Sequence, residues 1–170
     1  MASKIIDRET KSMVRKWIKK MKKKNYPKGK KTGKRAEKKL NLPYKTLGIG
    51  NYRIVYDMDD GYVLKVATTK QGIKSNQIEK KIYKNSPRSL RKHLAKVKKS
   101  GFGWVIMKKA KEISKKKRYN KKISRLEKKF RKAGIIARDI LRKKPIWHNI
   151  GKLKSKIVFI DYGKFKITKD

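Results

Sequence analysis

No cysteine occurs in the 170 residues, which excludes disulfides and thiolate metal centres and permits a reducing compartment. Histidine is almost as scarce, since His93 and His148 are the two present, and isolated imidazoles do not assemble a metal cluster. No apolar run approaches the roughly 20 residues that a membrane-spanning helix needs, and Met1-Ala2-Ser3-Lys4-Ile5-Ile6-Asp7 lacks the apolar core of a signal peptide. The expectation is a soluble cytoplasmic protein with no membrane span. Carboxylates are the most consequential shortage: 12 Asp and Glu face 55 Lys and Arg, a formal net charge of +43. The length supports one domain, or one small domain with an appendage, and 36% apolar residues suffice for a modest core.

Such a surface repels itself and attracts any polyanion, ATP, DNA and RNA included. Nonspecific nucleic-acid binding is expected at low salt, because neutralising six to ten phosphates changes affinity roughly a thousandfold or more between about 50 and 200 mM salt. The lysines are dispersed along the whole chain, so a compositional bias with solvated charged faces and a selected nucleic-acid role both stay open. No helix-turn-helix, zinc-finger or RNA-recognition signature is present.

Residues 1–42 read as a basic leader, with seventeen Lys or Arg against Asp7, Glu9 and Glu37. Ile6, Met13, Val14, Trp17, Ile18 and Met21 fall on one side of a helix, with Asp7 and Glu9 placed for its N-terminal dipole. That stripe suits either packing on the domain behind it or a surface partner. Asn25-Tyr26-Pro27-Lys28-Gly29 stops the helix; Lys28 to Lys34 then reads as a flexible basic loop, and Arg35 to Leu40 as a short helix. From residue 43 the character becomes β. Strands are expected at Tyr44 to Gly48, Tyr52 to Met58 and Tyr62 to Ala67, the last two joined by Asp59-Asp60-Gly61, a hairpin signal. Further expectations are a helix over Lys74 to Lys84, Ser86-Pro87 as N-cap and first turn of another through His93, strands at Leu94 to Lys98 and Trp104 to Lys108, and a helix over Tyr119 to Ala133 stopped by Gly134.

Several short segments have the residue types of phosphoryl-transfer chemistry. Gly48-Ile49-Gly50-Asn51-Tyr52-Arg53-Ile54-Val55 pairs glycines with a β-turn, where missing side chains let backbone N–H groups approach phosphates; an ordinary turn reads the same way. Lys65 lies in the apolar strand Val63-Leu64-Lys65-Val66-Ala67 and needs a partner if buried, and Glu79 is the sole carboxylate between Gly61 and Ala110; a surface Glu among lysines is the plainer alternative. Ala137-Arg138-Asp139, His148-Asn149-Ile150-Gly151 and Ile160-Asp161-Tyr162-Gly163 complete the series, each also readable as a loop or turn.

In this order, from about Leu47 to Phe165, the segments resemble the protein-kinase-like superfamily. The resemblance implies an α+β, minimal kinase-like fold, with a small antiparallel sheet, a packed helix and a reduced C-terminal lobe, as domain 43–170 behind the basic helical leader 1–42. It implies a nucleotide partner, with ATP and Mg²⁺ as cofactors, and phosphate transfer to a protein or small-molecule hydroxyl. Gly48, Gly50, Arg53, in the third glycine's place, and Val55 would line the nucleotide; Lys65 would hold its phosphates and Glu79 orient Lys65. Asp139 would be the base, and Asn149 and Asp161 the metal ligands.

The pattern is departed from in two places. Asn149 follows Asp139 by ten residues rather than five, which implies either a long loop or a base displaced to Lys144, and the long loop is the expectation. Only seven residues follow Gly163, so the family's activation segment and peptide-docking helices are expected to be missing. The alternative function is a nucleic-acid-binding or virion-associated basic protein on a degenerate scaffold, a pseudokinase. The compact lysine-rich form reads as phage or viral, which would place it in host cytoplasm or virion.

Overall fold

The computed structural model describes Ile5 to Thr168. Helices α1 (Arg8–Lys24) and α2 (Lys30–Leu40) precede strands β1 (Lys45–Ile49), β2 (Arg53–Asp57) and β3 (Tyr62–Ala67). Then come α3 (Lys70–Asn85), α4 (Arg88–Arg91), β4 (Val97–Gly101), β5 (Trp104–Lys108) and α5 (Asn120–Lys132). Four short strands finish the chain: β6 (Ile135–Ile136), β7 (Ile150–Leu153), β8 (Lys156–Phe159) and β9 (Lys166–Ile167). The architecture is α+β, with a five-stranded sheet in the order β1-β2-β3-β5-β4 and the two small pairs β6-β9 and β7-β8. Two compact units divide the chain, one running through Asn76 and including Lys99–Ile106, the other comprising Gln77–Lys98 and the described chain from Met107.

In the first unit, β2 and β3 pair antiparallel with Val55 opposite Lys65 and Tyr56 opposite Leu64. Alternation along a strand therefore separates Ile54, Tyr56, Leu64 and Val66 from Arg53, Val55, Val63 and Lys65. The former set is buried in one cluster with Val14, Trp17, Ile18, Met21, Ala36 and Leu40 from α1 and α2. Each such large side chain contributes roughly 1.5–3 kcal/mol on burial. The leader's apolar stripe is thus core, packed with the strands that follow it. Asp7 caps α1, its carboxylate accepting the Thr10 amide at 2.7 Å, and that bond draws its pKa below the usual carboxylate value. Beyond the cluster, the Trp17 indole N–H donates to the Ala67 carbonyl at 2.8 Å. The Ala67 amide donates to the Gly103 carbonyl at 2.8 Å and the Thr68 amide to the Tyr52 carbonyl at 2.8 Å. Three separate parts of the chain therefore hold the end of β3, two residues beyond Lys65.

Four expectations are corrected. Lys28 to Lys34 is not a loop throughout, since α2 begins at Lys30; a β-carbon on Gly33 would overlap the Ile49 side chain, so this glycine lets the helix lie on β1, and tertiary packing outweighs its poor helix propensity. α3 begins at Lys70, ahead of Lys74, because the Thr69 hydroxyl accepts the Gly72 amide at 3.2 Å. Ser86 does not cap α4: its hydroxyl donates back to the Ile82 carbonyl at 2.6 Å, and Pro87 takes the capping position. The strand expected at Leu94 starts at Val97, Leu94 making a single parallel bridge to Phe159.

In the second unit the core is aromatic. Phe130, Phe159 and Phe165 meet with centroids 5.4–6.0 Å apart, and Tyr162 joins Phe165 at 5.8 Å. Returning to the first unit, Trp17→Phe should leave the Ala67 carbonyl without its buried donor, a cost of about 1–3 kcal/mol. Thermal denaturation should register it as a Tm lower by roughly 2–12 °C for a chain of this size; an unchanged Tm would show that the bond does not hold α1 to β3.

Candidate functional site

Gly48, Gly50, Arg53, Val55 and Lys65 belong to the first unit, and Glu79, Asp139, Asn149 and Asp161 to the second. In the first, the β1–β2 turn is closed by the Gly50 amide donating to the Arg53 carbonyl at 2.9 Å. A β-carbon built on Gly48 meets nothing within 4 Å, and Gly48 has no left-handed φ. Neither packing nor backbone strain demands glycine at 48, so its missing side chain is free to serve the approach of another molecule.

Arg53 is buried, and its guanidinium donates to Asn76 Oδ1 of α3 at 2.9 Å. That bond joins β2 to α3. Lys65 is 5% exposed and shares its sheet face with half-buried Val55, its partner in register. Keeping an ammonium at that depth is costly without partners, and Lys65 is not without them.

In the second unit, a series of hydrogen bonds links the backbone segments that carry the acidic candidates. Glu79 has no exposed surface, and its Oε1 accepts the Tyr162 amide at 3.3 Å. Tyr162 stands where the resembled motif has Phe; its ring is fully buried, and its hydroxyl donates to the Ala95 carbonyl at 2.7 Å, which removes the penalty of burying a phenol. Asp161, one residue before, accepts the Gly163 amide at 3.4 Å. The Ile160 amide donates to the Asn149 carbonyl at 2.9 Å. Asn149, 6% exposed, donates through Nδ2 to the Asp139 carbonyl at 2.8 Å. A carbonyl only accepts, so the amide nitrogen must face it, and Oδ1 is the acceptor that this bond does not use.

That last bond spans the ten positions between Asp139 and Asn149. The surplus residues close on themselves, with Leu141 bridged to Pro145 and the Ile146 amide donating to the Ile140 carbonyl at 2.8 Å. The chain thereby returns Asn149 to Asp139 across ten positions, while Lys144 sits exposed on the excursion. Asp139 itself has φ +59°, a left-handed conformation that Asp tolerates better than most residues but at some cost.

Its carboxylate is held by Lys164 Nζ at 2.5 Å and by Arg142 at 3.3 Å. The Lys164 hydrogen bond, against a smaller opposing effect of burial, keeps its pKa below the usual carboxylate value, with Arg142 adding to it. Lys164 and Arg142 were not singled out from the sequence; amid 55 Lys and Arg no pattern separates them from their neighbours. His93 is a structural residue, its Nδ1 bonded to the Ile157 carbonyl at 2.8 Å, and burial lowers its pKa.

No group of three or more His, Cys, Asp or Glu placed for a metal occurs among the described residues. Asn149 Oδ1 and the Asp161 carboxylate are nevertheless hard oxygen donors. They fit Mg²⁺, which uses one or two protein carboxylates and completes its shell with water and substrate phosphates.

No family model matches the sequence, and no curated protein matches it. The fold has solved counterparts. A co-crystal structure of WbdD with the kinase inhibitor LY294002 is similar with a TM-score of 0.56 and 17% identity, covering 75% of this chain and 34% of that one. A medium-resolution structure of WbdD, there described as a bifunctional kinase-methyltransferase, is similar with a TM-score of 0.53 and 19% identity over 76% of this chain and 34% of that one. This chain spans about a third of the length of these counterparts. What is similar is the fold, and it is kinase-like.

Proposed function

We propose that this protein is a Mg-ATP-dependent phosphotransferase acting on a protein or small-molecule hydroxyl. The observation that supports this reading best is the bonded series Asp139–Asn149–Ile160, which continues through Asp161 and Tyr162 to buried Glu79. A series that puts a carboxylate, an amide oxygen and a second carboxylate on one hydrogen-bonded framework has the donor types that phosphoryl transfer uses. Mg²⁺, when bound, would supply charge neutralisation at the phosphate oxygens. Asn149 Oδ1 and Asp161 are the residues that would hold it. Lys65 would bind the phosphates of the nucleotide, with Gly48 and Gly50 allowing backbone approach. Glu79 fixes the segment carrying Asp161 by holding the neighbouring amide.

Asp139 would take the proton of the acceptor hydroxyl as its oxygen bonds to the γ-phosphorus. The bond from that phosphorus to the bridging oxygen breaks, and ADP leaves with the electron pair. Lys164 and Arg142 keep Asp139 ionised and oriented. They also make it a weaker base, which suits a loose transition state in which proton removal is late.

The test is transfer of label from γ-labelled Mg-ATP, to the protein itself and to generic acceptors, at about 300 mM salt so that nonspecific polyanion binding is suppressed. Wild type should transfer label. Asp139→Asn should reduce the rate by about a hundredfold or more, and Asp161→Asn and Lys65→Met should abolish detectable transfer; activity retained in Asp161→Asn would overturn the reading.

A pH profile of kcat/KM separates the role of Lys164. Because the folded pKa of Asp139 is lowered, the acid limb should lie below the ordinary carboxylate range in wild type and move upward in Lys164→Met. By linkage, the contribution of Asp139 to stability is present above its unfolded pKa and lost as pH falls through the lowered folded value. An acid limb that does not move in Lys164→Met would exclude Asp139 as the group it reports.

A further inference from the structure

In the first unit, a groove of about 530 Å³ lies between α1 and the β4–β5 turn. Lys11, Arg15, Lys19, Lys22 and Lys99 line it together with Phe102 and Trp104. Four of these cations form a row on α1 at spacings of four, four and three residues, which places them on one helical face over roughly 16 Å. Like charges so spaced destabilise a helix, and among the described residues no acidic side chain lines the groove to offset them. The turn is built against α1: Gly103 has φ +83°, and a β-carbon there would come 2.5 Å from Ile18 Cδ1. The turn consequently presents Phe102 outward. Phe102 is 54% exposed, one of two large apolar residues so placed among the described residues, and Lys22 Nζ stands 4.9 Å from its ring centroid.

We propose that this groove binds single-stranded nucleic acid, with phosphates along the α1 cations and a base stacked on the exposed surface of Phe102. The row of cations matches a polyanion in charge, and an aromatic ring among them matches a partner that alternates phosphates with exposed π-faces. A duplex satisfies the first requirement but hides its base faces. A membrane surface needs an apolar helix face, and that of α1 is consumed by the core, with Val14, Trp17, Ile18 and Met21 all buried. The site uses none of the residues assigned to phosphoryl transfer, so it stands or falls independently of that function.

The net charge of +43 makes bare affinity uninformative, and the test therefore compares variants of the full chain. Fluorescence anisotropy is read with a labelled oligothymidylate of about 20 nucleotides, and with a duplex of the same length, across a salt series. Phe102→Ala should weaken single-strand binding about fivefold or more at fixed salt and leave duplex binding unchanged, and Phe102→Trp should retain it. Lys19→Gln with Lys22→Gln should lower the salt slope for the single strand by about 1.4, at roughly 0.7 for each phosphate no longer neutralised. Lys154→Gln with Lys156→Gln, exposed lysines of the second unit, removes the same charge and should change the slope less. Single-strand affinity unaffected by Phe102→Ala, or equal slope changes from the two lysine pairs, would overturn the proposal and leave diffuse attraction by net charge as the explanation.

Discussion

A carboxylate with no exposed surface, that of Glu79, accepts the amide of Tyr162, and the arrangement around Asp161 depends on it. An ionisable group this deep costs several kcal/mol unless it is hydrogen-bonded or paired, so the position tolerates few substitutes. From the other side, the Tyr162 ring is fixed by its hydroxyl on the Ala95 carbonyl and by Phe165. Asp161 therefore leaves a backbone whose next residue is anchored through both amide and side chain. The Ile160 amide ties the preceding residue to Asn149, and Asn149 reaches Asp139. Positional precision of a few tenths of an ångström comes from this kind of continuity, in which each polar contact is made by a buried group.

Charge gives the same residues a second significance. In a protein with 12 acidic residues against 55 basic ones, several carboxylates have a definite structural task. Asp7 caps α1, Asp57 accepts the Asp59 amide at the β2–β3 turn, and Glu37 accepts the Thr46 hydroxyl. Asp139 instead draws two cations onto itself in a half-buried setting and adopts a strained φ. Asp139 lies in a turn, where Asp takes a left-handed φ more readily than most residues do.

Much of the sheet was legible in the sequence because it rests on local chemistry. β3 and β5 occupy the expected Tyr62–Ala67 and Trp104–Lys108, each preceded by a glycine turn and each a largely apolar run carrying a single lysine. Less legible was whatever a distant partner decides. The early start of α2 needs the close approach of Gly33 and Ile49; the bond from Arg53 to Asn76 spans 23 positions; the bond from Trp17 to Ala67 spans 50. The return of Asn149 to Asp139 runs through a loop with no periodicity to read, closed by backbone bonds within it and by the Asn149 side chain. The kinase-like resemblance was carried by short motifs in order, and the fold carries the likeness over three quarters of the chain at an identity of 17–19%.

On the proposed reading, in which Asn149 and Asp161 would hold the metal, nucleotide binding would depend on Mg²⁺ even in a protein whose net charge of +43 would attract ATP in any case. Isothermal titration with ATP at about 300 mM salt, with and without Mg²⁺, measures that dependence directly, because screening removes most of the diffuse attraction. The expected result is saturable binding that Mg²⁺ tightens in wild type and does not tighten in Asn149→Ala. Binding of equal strength with and without Mg²⁺, fading as salt rises further, would contradict it.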